Sequence, residues 1–331
     1  MSTQTYRALV VSEESDGSFR RSIREKPLND LPDGDIQVRV RYSSLNYKDA
    51  LSATGNKGVT KHYPHTPGID AAGVVEQSHS RYFKPGDKVV VNGFDLGADY
   101  PGGFAEYVSV PADWVMKLPE GMSLRDTMVM GVAGLTAALS VYRLTEYGIR
   151  PDGGPVLVTG ATGGVGSIAV AILAKLGFQV TAATGKREQV SMLKDLGARD
   201  VIPRKKAHDT SGKPLLKRRW NAAVDTVGGE TLSTVIRATS YGGAVTCCGM
   251  VGGTDLPLTV FPFILRGVSL FGIDLAFSAM GLRETIWDRL SHQWKPDLPE
   301  LLVHECGLEG LEERIALMLS GAHIGRTVVR L

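Results

Sequence analysis

The 331-residue chain has only three cysteines, Cys247, Cys248 and Cys306. Two are adjacent in an expected strand and no Cys-x-x-Cys occurs, so neither a disulfide framework nor a cysteine-ligated metal is indicated. A reducing cytoplasm suits that usage. No run of roughly 18 apolar residues is present, so no membrane span is expected. The start, Met-Ser-Thr-Gln-Thr-Tyr, is polar and lacks the apolar core of a signal peptide. There is no internal repeat and no low-complexity segment. The formal net charge is +2, too balanced to make nucleic acid or an anionic membrane the main partner. What is present is ordinary for a soluble globular chain. Hydrophobic residues make up 43% and charged residues 22%, and the length suits one large or two medium domains.

The most informative stretch runs from Val156 to Gly177. An apolar run, Val156-Leu-Val-Thr159, reads as a buried parallel strand. The turn Gly160-Ala-Thr-Gly163-Gly-Val-Gly166 follows, then a helical stretch, Ser167 to Leu176, and a further strand from Phe178 to Thr184. Strand, glycine turn, helix and strand in this order are the dinucleotide-binding unit. Gly163 lets backbone approach a pyrophosphate, and Gly166 lets the helix sit close to the strand. The helix N-terminus offers N–H groups to phosphate. The alternative is a tight turn in some other α/β protein.

Before this stretch the chain is mostly β. Residues 6–12, Ile36–Tyr42, Val74–Glu76, Asp87–Val91 and Phe104–Val110 read as strands of a partly open barrel. Ser123, with Asp126 three residues on, reads as the N-cap of a helix. From Gly153 strands and helices alternate. Strands are expected at Val156–Thr159, Gln179–Ala183, Asp200–Pro203, Ala222–Thr226, Gly243–Cys248 and Val268–Ile273, enough for a full doubly wound sheet. A last strand, Gly325–Leu331, returns to the β-rich part. The fold class is therefore α/β, with residues 125–295 as a dinucleotide domain inserted between 1–124 and 296–331.

The end of the second strand reads Thr184-Gly185-Lys186-Arg187. NAD enzymes place an acid there for the ribose 2′-hydroxyl. None is present, so Thr184, Gly185 and Lys186 suit a 2′-phosphate, and NADPH is expected. Arg204, at the end of the neighbouring third strand, closes the other side. Arg187 reads as a solvated charge. Lys213, Lys217, Arg218 and Arg219 read as a solvated helix face that could attract an anionic substrate.

The chain resembles the medium-chain dehydrogenase/reductase superfamily over nearly its whole length. The residues that carry this are Ser43-Ser-Leu-Asn46-Tyr47-Lys48-Asp49-Ala, Pro67-Gly-Ile-Asp70-Ala-Ala-Gly73, Lys84-Pro-Gly-Asp87, Gly102-Gly-Phe-Ala-Glu-Tyr107, the glycine turn, and Gly325-Arg-Thr327. Asn-Tyr-Lys-Asp, Thr-Gly-Lys, Asp225-Thr-Val-Gly228 and Pro262-Phe-Ile-Leu-Arg266 are similar to the acryloyl-CoA reductase branch, often labelled quinone-oxidoreductase-like. The resemblance implies a GroES-like β-barrel domain, a Rossmann domain and an active site in the cleft between them. The superfamily's zinc enzymes carry Cys where this chain has Asn46 and Gly-His-Glu where it has Gly68-Ile69-Asp70, and the four-cysteine lobe is absent. No zinc is expected, and reduction of an activated alkene is expected in place of alcohol oxidation.

The resemblance also implies site residues. Thr162, Gly163, Gly164, Val165 and Gly166 face the pyrophosphate. Met250, Ile264 and Leu275 line or cover the nicotinamide, although the branch commonly has Ser where this chain has Leu275. Arg326 reaches the cofactor from the C-terminal segment. Tyr47 and Asn46 are candidate donors to cofactor or substrate oxygen, with Asp49 orienting them. Each has a structural alternative: Tyr47 as a wall, Asn46 in a turn, Asp49 capping a helix. Asp70 reads as structural, among small apolar neighbours. The expected function is NADPH-dependent reduction of an α,β-unsaturated acyl-CoA. The alternatives are a general quinone, enone or enal reductase, and an NADPH-binding protein without turnover. Small-molecule substrates and a homodimer, paired through Val268–Ile273, complete the expectations.

Overall fold

The computed structural model describes residues 4–331, and the first three residues of the polar start, Met1 to Thr3, lie outside the described residues. Two strands open the chain, β1 (Thr5–Glu13) and β2 (Phe19–Pro27). There follow β3 (Ile36–Leu45), the short helix α1 (Tyr47–Ser52), β4 (Asp70–Ser78), β5 (Lys88–Asn92), β6 (Tyr107–Val110) and β7 (Val115–Lys117). The long α2 (Leu124–Glu146) leads to β8 (Val156–Val158), α3 (Gly164–Lys175), β9 (Val180–Thr184), α4 (Val190–Asp195), β10 (Asp200–Pro203) and β11 (Trp220–Asp225). Then come α5 (Gly229–Arg237), β12 (Thr239–Cys247), α6 (Phe261–Arg266), β13 (Ser269–Gly272) and α7 (Met280–Ser291). The chain closes with β14 (Val303–Cys306), α8 (Leu311–Leu319) and β15 (Arg326–Arg330).

Two compact units result. The first is Met1–Val132, Ala276–Glu284 and Glu300–Leu331; the second is Ala133–Leu275 and Thr285–Pro299. The division falls inside α2 rather than at its start, for a local reason. Ser123 and Asp126 exchange hydrogen bonds, N–H to carboxylate and N–H to hydroxyl, both 3.1 Å, and so start the helix as expected. The helical dihedrals then break at Gly131 (φ 51°, ψ −159°), so α2 is two helices end to end. By length and composition α2 could cross a membrane, but 83% of its apolar window is buried within the protein, which makes it a core helix. The segment Ala276–Glu284 belongs to the first unit, although the sequence lies in the stretch expected to be wholly dinucleotide domain.

In the first unit, a seven-stranded sheet runs β14-β15-β3-β4-β5-β7, with β6 also on β3; β1 and β2 pair separately. In β3 the buried Ile36, Val38 and Val40 alternate with less buried neighbours, as the sequence period requires. Past Tyr42 the alternation stops, because Ser43, Ser44 and Leu45 are all buried. β15 lies antiparallel to β3, with Thr327 opposite Leu45, so the C-terminal strand rejoins the first unit. β2 escaped the sequence reading because five of its nine residues are charged and no apolar alternation marks it.

The second unit holds six strands in the order β10-β9-β8-β11-β12-β13, all parallel. This is the doubly wound order of the dinucleotide fold. α3 begins at Gly164, three residues before the expected start, because its first turn is built from glycines that propensity places in a loop. The expected helix at Lys213–Arg219 is absent. Residues 208–219 are irregular, since Gly212 takes a positive φ (70°) and Pro214 removes a donor. Two arginines pin this loop by its backbone: Arg237 donates to the Lys213 carbonyl (2.9 Å) and Arg266 to that of Leu216 (2.7 Å).

The helix–turn contact in this unit is tight at one point. A Cβ on Gly166 would stand 2.3 Å from the Gly160 carbonyl oxygen and 2.8 Å from the Ala161 Cα. Both are backbone atoms that cannot swing aside. Gly166→Ala should therefore destabilise the protein by about 1–3 kcal/mol, seen as a lower melting temperature. Gly281→Ala in α7, where a Cβ meets nothing within 4 Å, should leave it unchanged or raise it.

Candidate functional site

In the second unit the site is the C-terminal edge of the parallel sheet, where the strand order reverses beside β8. Gly163 precedes the first turn of α3, and no side chain caps that end. Gly163, Gly164 and Val165 are partly exposed there, while Thr162 and Gly166 are buried. Unpaired N–H groups and bare glycine at a helix N-terminus are a cradle for a pyrophosphate. The turn after β11 supports it. Asp225, fully buried, accepts from Thr159 Oγ1 (2.7 Å) and from the Gly228 N–H (2.7 Å). Thr226 Oγ1 donates in turn to the Thr159 carbonyl (2.9 Å). Burial pushes the Asp225 carboxyl up, and these hydrogen bonds oppose it. Its part in shaping the cradle escaped the sequence reading, because its partner Thr159 is 66 residues away.

At the end of β9, Thr184 Oγ1 accepts the Lys186 N–H (3.0 Å) and turns the chain. β10 lies alongside, with Pro203 opposite Thr184, so the next residue, Arg204, falls against Gly185. A Cβ on Gly185 would stand 3.0 Å from Arg204 Cδ and 3.2 Å from its Nε. Lys186 is partly buried, which lowers its pKa and raises its gain from an anion. Thus Gly185, Lys186 and Arg204 come together, and no carboxylate ends β9. Arg187 is exposed, as expected. Met250 and Ile264 are exposed, whereas Leu275 is buried.

In the first unit the expected candidates form a buried polar network centred on Asp70. Asp70 Oδ2 accepts from Ser44 Oγ (2.5 Å) and Asn46 Nδ2 (2.8 Å). Its Oδ1 accepts from Asn92 Nδ2 (2.5 Å), and the Val132 N–H reaches both oxygens at 3.0 Å. The break at Gly131 makes that last contact possible, and it places a carboxylate at the N-terminus of the second half of α2. A Cβ on Gly131 would stand 2.5 Å from Asp70 Oδ2. Asp70 is structural, as expected, but its immediate neighbours are polar.

Arg326 is not at a surface that a cofactor could reach. It is 2% exposed and donates to the Val129 carbonyl (2.9 Å), Asn46 Oδ1 (3.2 Å) and Ser44 Oγ (2.8 Å). Burial pushes its pKa down, and Asp70 and Asp49 hold it up. Ser44 and Asn46 therefore bridge the cation to the anion, each accepting from Arg326 and donating to Asp70. Nothing in the sequence marked Ser44 or Asn92, whose partner Asp70 is 26 and 22 residues away.

Asn46 and Asp49 also face inward, as the cap of α1. Asp49 Oδ2 accepts the Asn46 N–H (2.8 Å), and its Oδ1 accepts the N–H groups of Ile69 (2.8 Å) and Gly68 (3.1 Å). Both residues are buried, while Tyr47, first in the helix, is 37% exposed. Burial pushes the Asp49 carboxyl up to about 7, with hydrogen bonds from Asn46 and Ile69 opposing and the Asp70 charge adding. A carboxyl raised on folding favours the proton in the folded state, so its cost grows as pH rises from about 4 to about 7. From about pH 5 to about pH 8, the melting temperature of the wild type should therefore fall relative to Asp49→Asn. A difference that stays constant with pH would mean that Asp49 is ionised throughout.

Comparison with known proteins identifies the family of both units. Residues 32–120 match the alcohol dehydrogenase GroES-like domain, and residues 164–290 match the zinc-binding dehydrogenase family. The chain is 46% identical to a putative quinone oxidoreductase, YhfP of Bacillus subtilis, over 91% of this chain and 92% of that protein. The crystal structure of that protein with NAD bound superposes with a TM-score of 0.95, covering 99% and 100% of the two chains at 43% identity. Acrylyl-CoA reductase AcuI of Ruegeria pomeroyi is 43% identical over 98% of both chains. The yhdH oxidoreductase from Salmonella enterica, solved in complex with NADP, gives a TM-score of 0.93 at 42% identity, covering 98% and 99%.

One family description names zinc, and the residues here do not fit that ion. Where ligands would stand, the chain has Asn46 and Asp70, with the Arg326 guanidinium 3.2 Å from Asn46 Oδ1. A fixed positive charge opposes a second cation, and zinc seeks thiolate, imidazole or carboxylate in tetrahedral order. Among the described residues no group of three His, Cys, Asp or Glu is placed to hold a metal. With a GroES-like unit, a Rossmann sheet and these relatives along nearly its whole length, the chain is an oxidoreductase of the medium-chain dehydrogenase/reductase superfamily, in the branch of the acrylyl-CoA reductases and quinone-oxidoreductase-like proteins.

Proposed function

We propose that this protein uses NADPH to reduce the activated C=C bond of an α,β-unsaturated acyl-CoA, converting acryloyl-CoA to propionyl-CoA. The observation that carries the reading is the 43% identity with an acrylyl-CoA reductase over 98% of both chains. NADPH is favoured over NADH by the Gly185–Lys186–Arg204 corner, where two cations are present and no carboxylate ends β9. When bound, the cofactor would supply a hydride to the substrate's β-carbon, and a water would supply the proton that completes the α-carbon. The chain's own residues do the rest. The bare turn Thr162–Gly166 holds the pyrophosphate by N–H groups. Tyr47, exposed at the start of α1, donates to a substrate or cofactor oxygen and stabilises charge developing on the carbonyl. Asn46 and Asp49 act behind it by fixing the helix that carries it. Met250, Ile264 and Leu275 supply apolar cover for the nicotinamide. Arg326 acts from behind, through the buried network of Asn46, Ser44 and Asp70.

Quinone or enone reduction is the second reading, favoured by the 46% identity with a putative quinone oxidoreductase. An assay of NADPH oxidation with acryloyl-CoA, crotonyl-CoA, a free enal and a benzoquinone separates the two. Turnover centred on acryloyl-CoA is expected; turnover with the quinone or enal alone would overturn the first reading. NADPH binding without turnover of any of the four would point to the non-catalytic alternative. In the same assay Lys186→Ala should raise KM for NADPH about tenfold and leave that for NADH nearly unchanged.

The proposal includes a homodimer. β13 is an edge strand, and the exposed apolar residues Val260, Phe261 and Leu265 lie on or beside α6, just before it. An edge beside such a patch suits a second copy of the same edge. Sedimentation should give twice the chain mass, reduced to one by Leu265→Glu; a wild-type monomer would end this part of the reading.

A further inference from the structure

Positive charge is concentrated in one stretch of the second unit. Residues 204–219 hold seven lysines and arginines and a single acid, Asp209. The whole chain is only +2, so the remainder is net negative. Asp209 is already neutralised by Arg237 (3.2 Å). The cations themselves are exposed, and none of them is in an ion pair among the described residues. Their mutual repulsion is felt locally: Arg266 is lowered first by burial and then by the Arg218 charge.

The loop is nonetheless held in place. Buried or partly buried arginines from outside the loop grip its carbonyls at Lys213 and Leu216, so the side chains of Lys213, Lys217 and Arg218 are not needed to anchor it. It is also tied to the corner where Arg204 meets Gly185. The Arg219 guanidinium donates to the Lys206 carbonyl, which closes the far end of the loop onto the segment that carries Arg204. A stable protein has no folding reason to gather uncompensated charge here, since like charges this close destabilise it.

We infer that loop 208–219 is an electrostatic collector for NADPH, which speeds arrival of its 2′-phosphate end at the Gly185–Arg204 corner without touching the bound cofactor. The inference rests on the NADPH reading above. It adds a kinetic preference for the phosphorylated cofactor to the contact preference at Lys186 and Arg204. Charge steering of this kind acts over about one Debye length, about 8 Å at physiological salt, and further at low salt. It changes association much more than dissociation.

The test uses the full chain with Lys213, Lys217 and Arg218 all changed to Glu, and a second variant with all three changed to Ala. Association and dissociation of NADPH and of NADH are followed by stopped-flow nicotinamide fluorescence at low and high salt. At low salt the Glu variant should bind NADPH about tenfold more slowly than wild type, with the Ala variant between them. The slowing for NADH should be clearly smaller. High salt should erase the differences, and kcat at saturating cofactor should not change. Unchanged association, or a loss confined to dissociation, would overturn the inference while leaving the NADPH reading intact. Slowed association of acyl-CoA alone would overturn it in favour of the substrate. If the wild type binds NADH as fast and as tightly as NADPH, the cofactor reading fails, and this inference fails with it.

Discussion

A buried charge must be answered, and in the first unit that requirement organises a large part of the structure. Arg326 and Asp70 are both fully enclosed, and they are joined through Ser44 and Asn46 rather than directly. Each bridging group accepts from the cation and donates to the anion, so neither charge is left unsatisfied in a low-dielectric interior. The same carboxylate receives the Val132 N–H at the restart of α2. Elements from four parts of the chain, namely β3, β4, α2 and β15, are thus committed to one network. The break at Gly131 follows from this, since a continuous helix would not present that N–H, and a side chain there would collide with Asp70.

The network also bears on the chemistry. It occupies the place where zinc enzymes of the superfamily carry ligands, and it brings a fixed cation of its own. The residues that face inward, Asn46, Asp49 and Arg326, hold α1 by its first turn. Tyr47, on the same turn, is left accessible. The contrast is physical: buried hydrogen bonds fix the backbone of this turn, while the phenol on it stays accessible. In the second unit the roles are reversed. There the proposed binding surface is backbone, at the start of α3, which Gly163, Gly164 and Gly166 leave bare of side chains.

The Rossmann part was legible in the sequence almost throughout. Its central strands β8, β9 and β11 are almost wholly buried and read as largely apolar runs, and its glycine turn stands in the strand-turn-helix-strand order of a dinucleotide-binding unit. The missing acid after Thr184 and the position of Arg204 were also legible, because parallel strand order places those ends side by side. The start of α3 was misplaced by three residues because glycine is a poor helix former; packing against the Gly160 turn overrides that preference. The charged run 213–219 was read as a helix face, and Gly212 just before it and Pro214 inside it decided otherwise.

The sequence by itself determined the order of the Rossmann strands, the glycine turn after the first of them and the basic residues that follow β9 and β10. These depend on local period, on glycine spacing and on neighbouring strand ends. Only the tertiary structure decided that Arg326 points into the core, that Asn46 and Asp49 cap a helix from within, and that Asp70 gathers them. Each of those outcomes depends on hydrogen bonds between residues far apart in the chain, such as Arg326 with Asn46 across 280 positions. No local pattern records whether a charged side chain will meet solvent or a buried partner; burial alone settles it, by requiring that every donor and acceptor it encloses be paired.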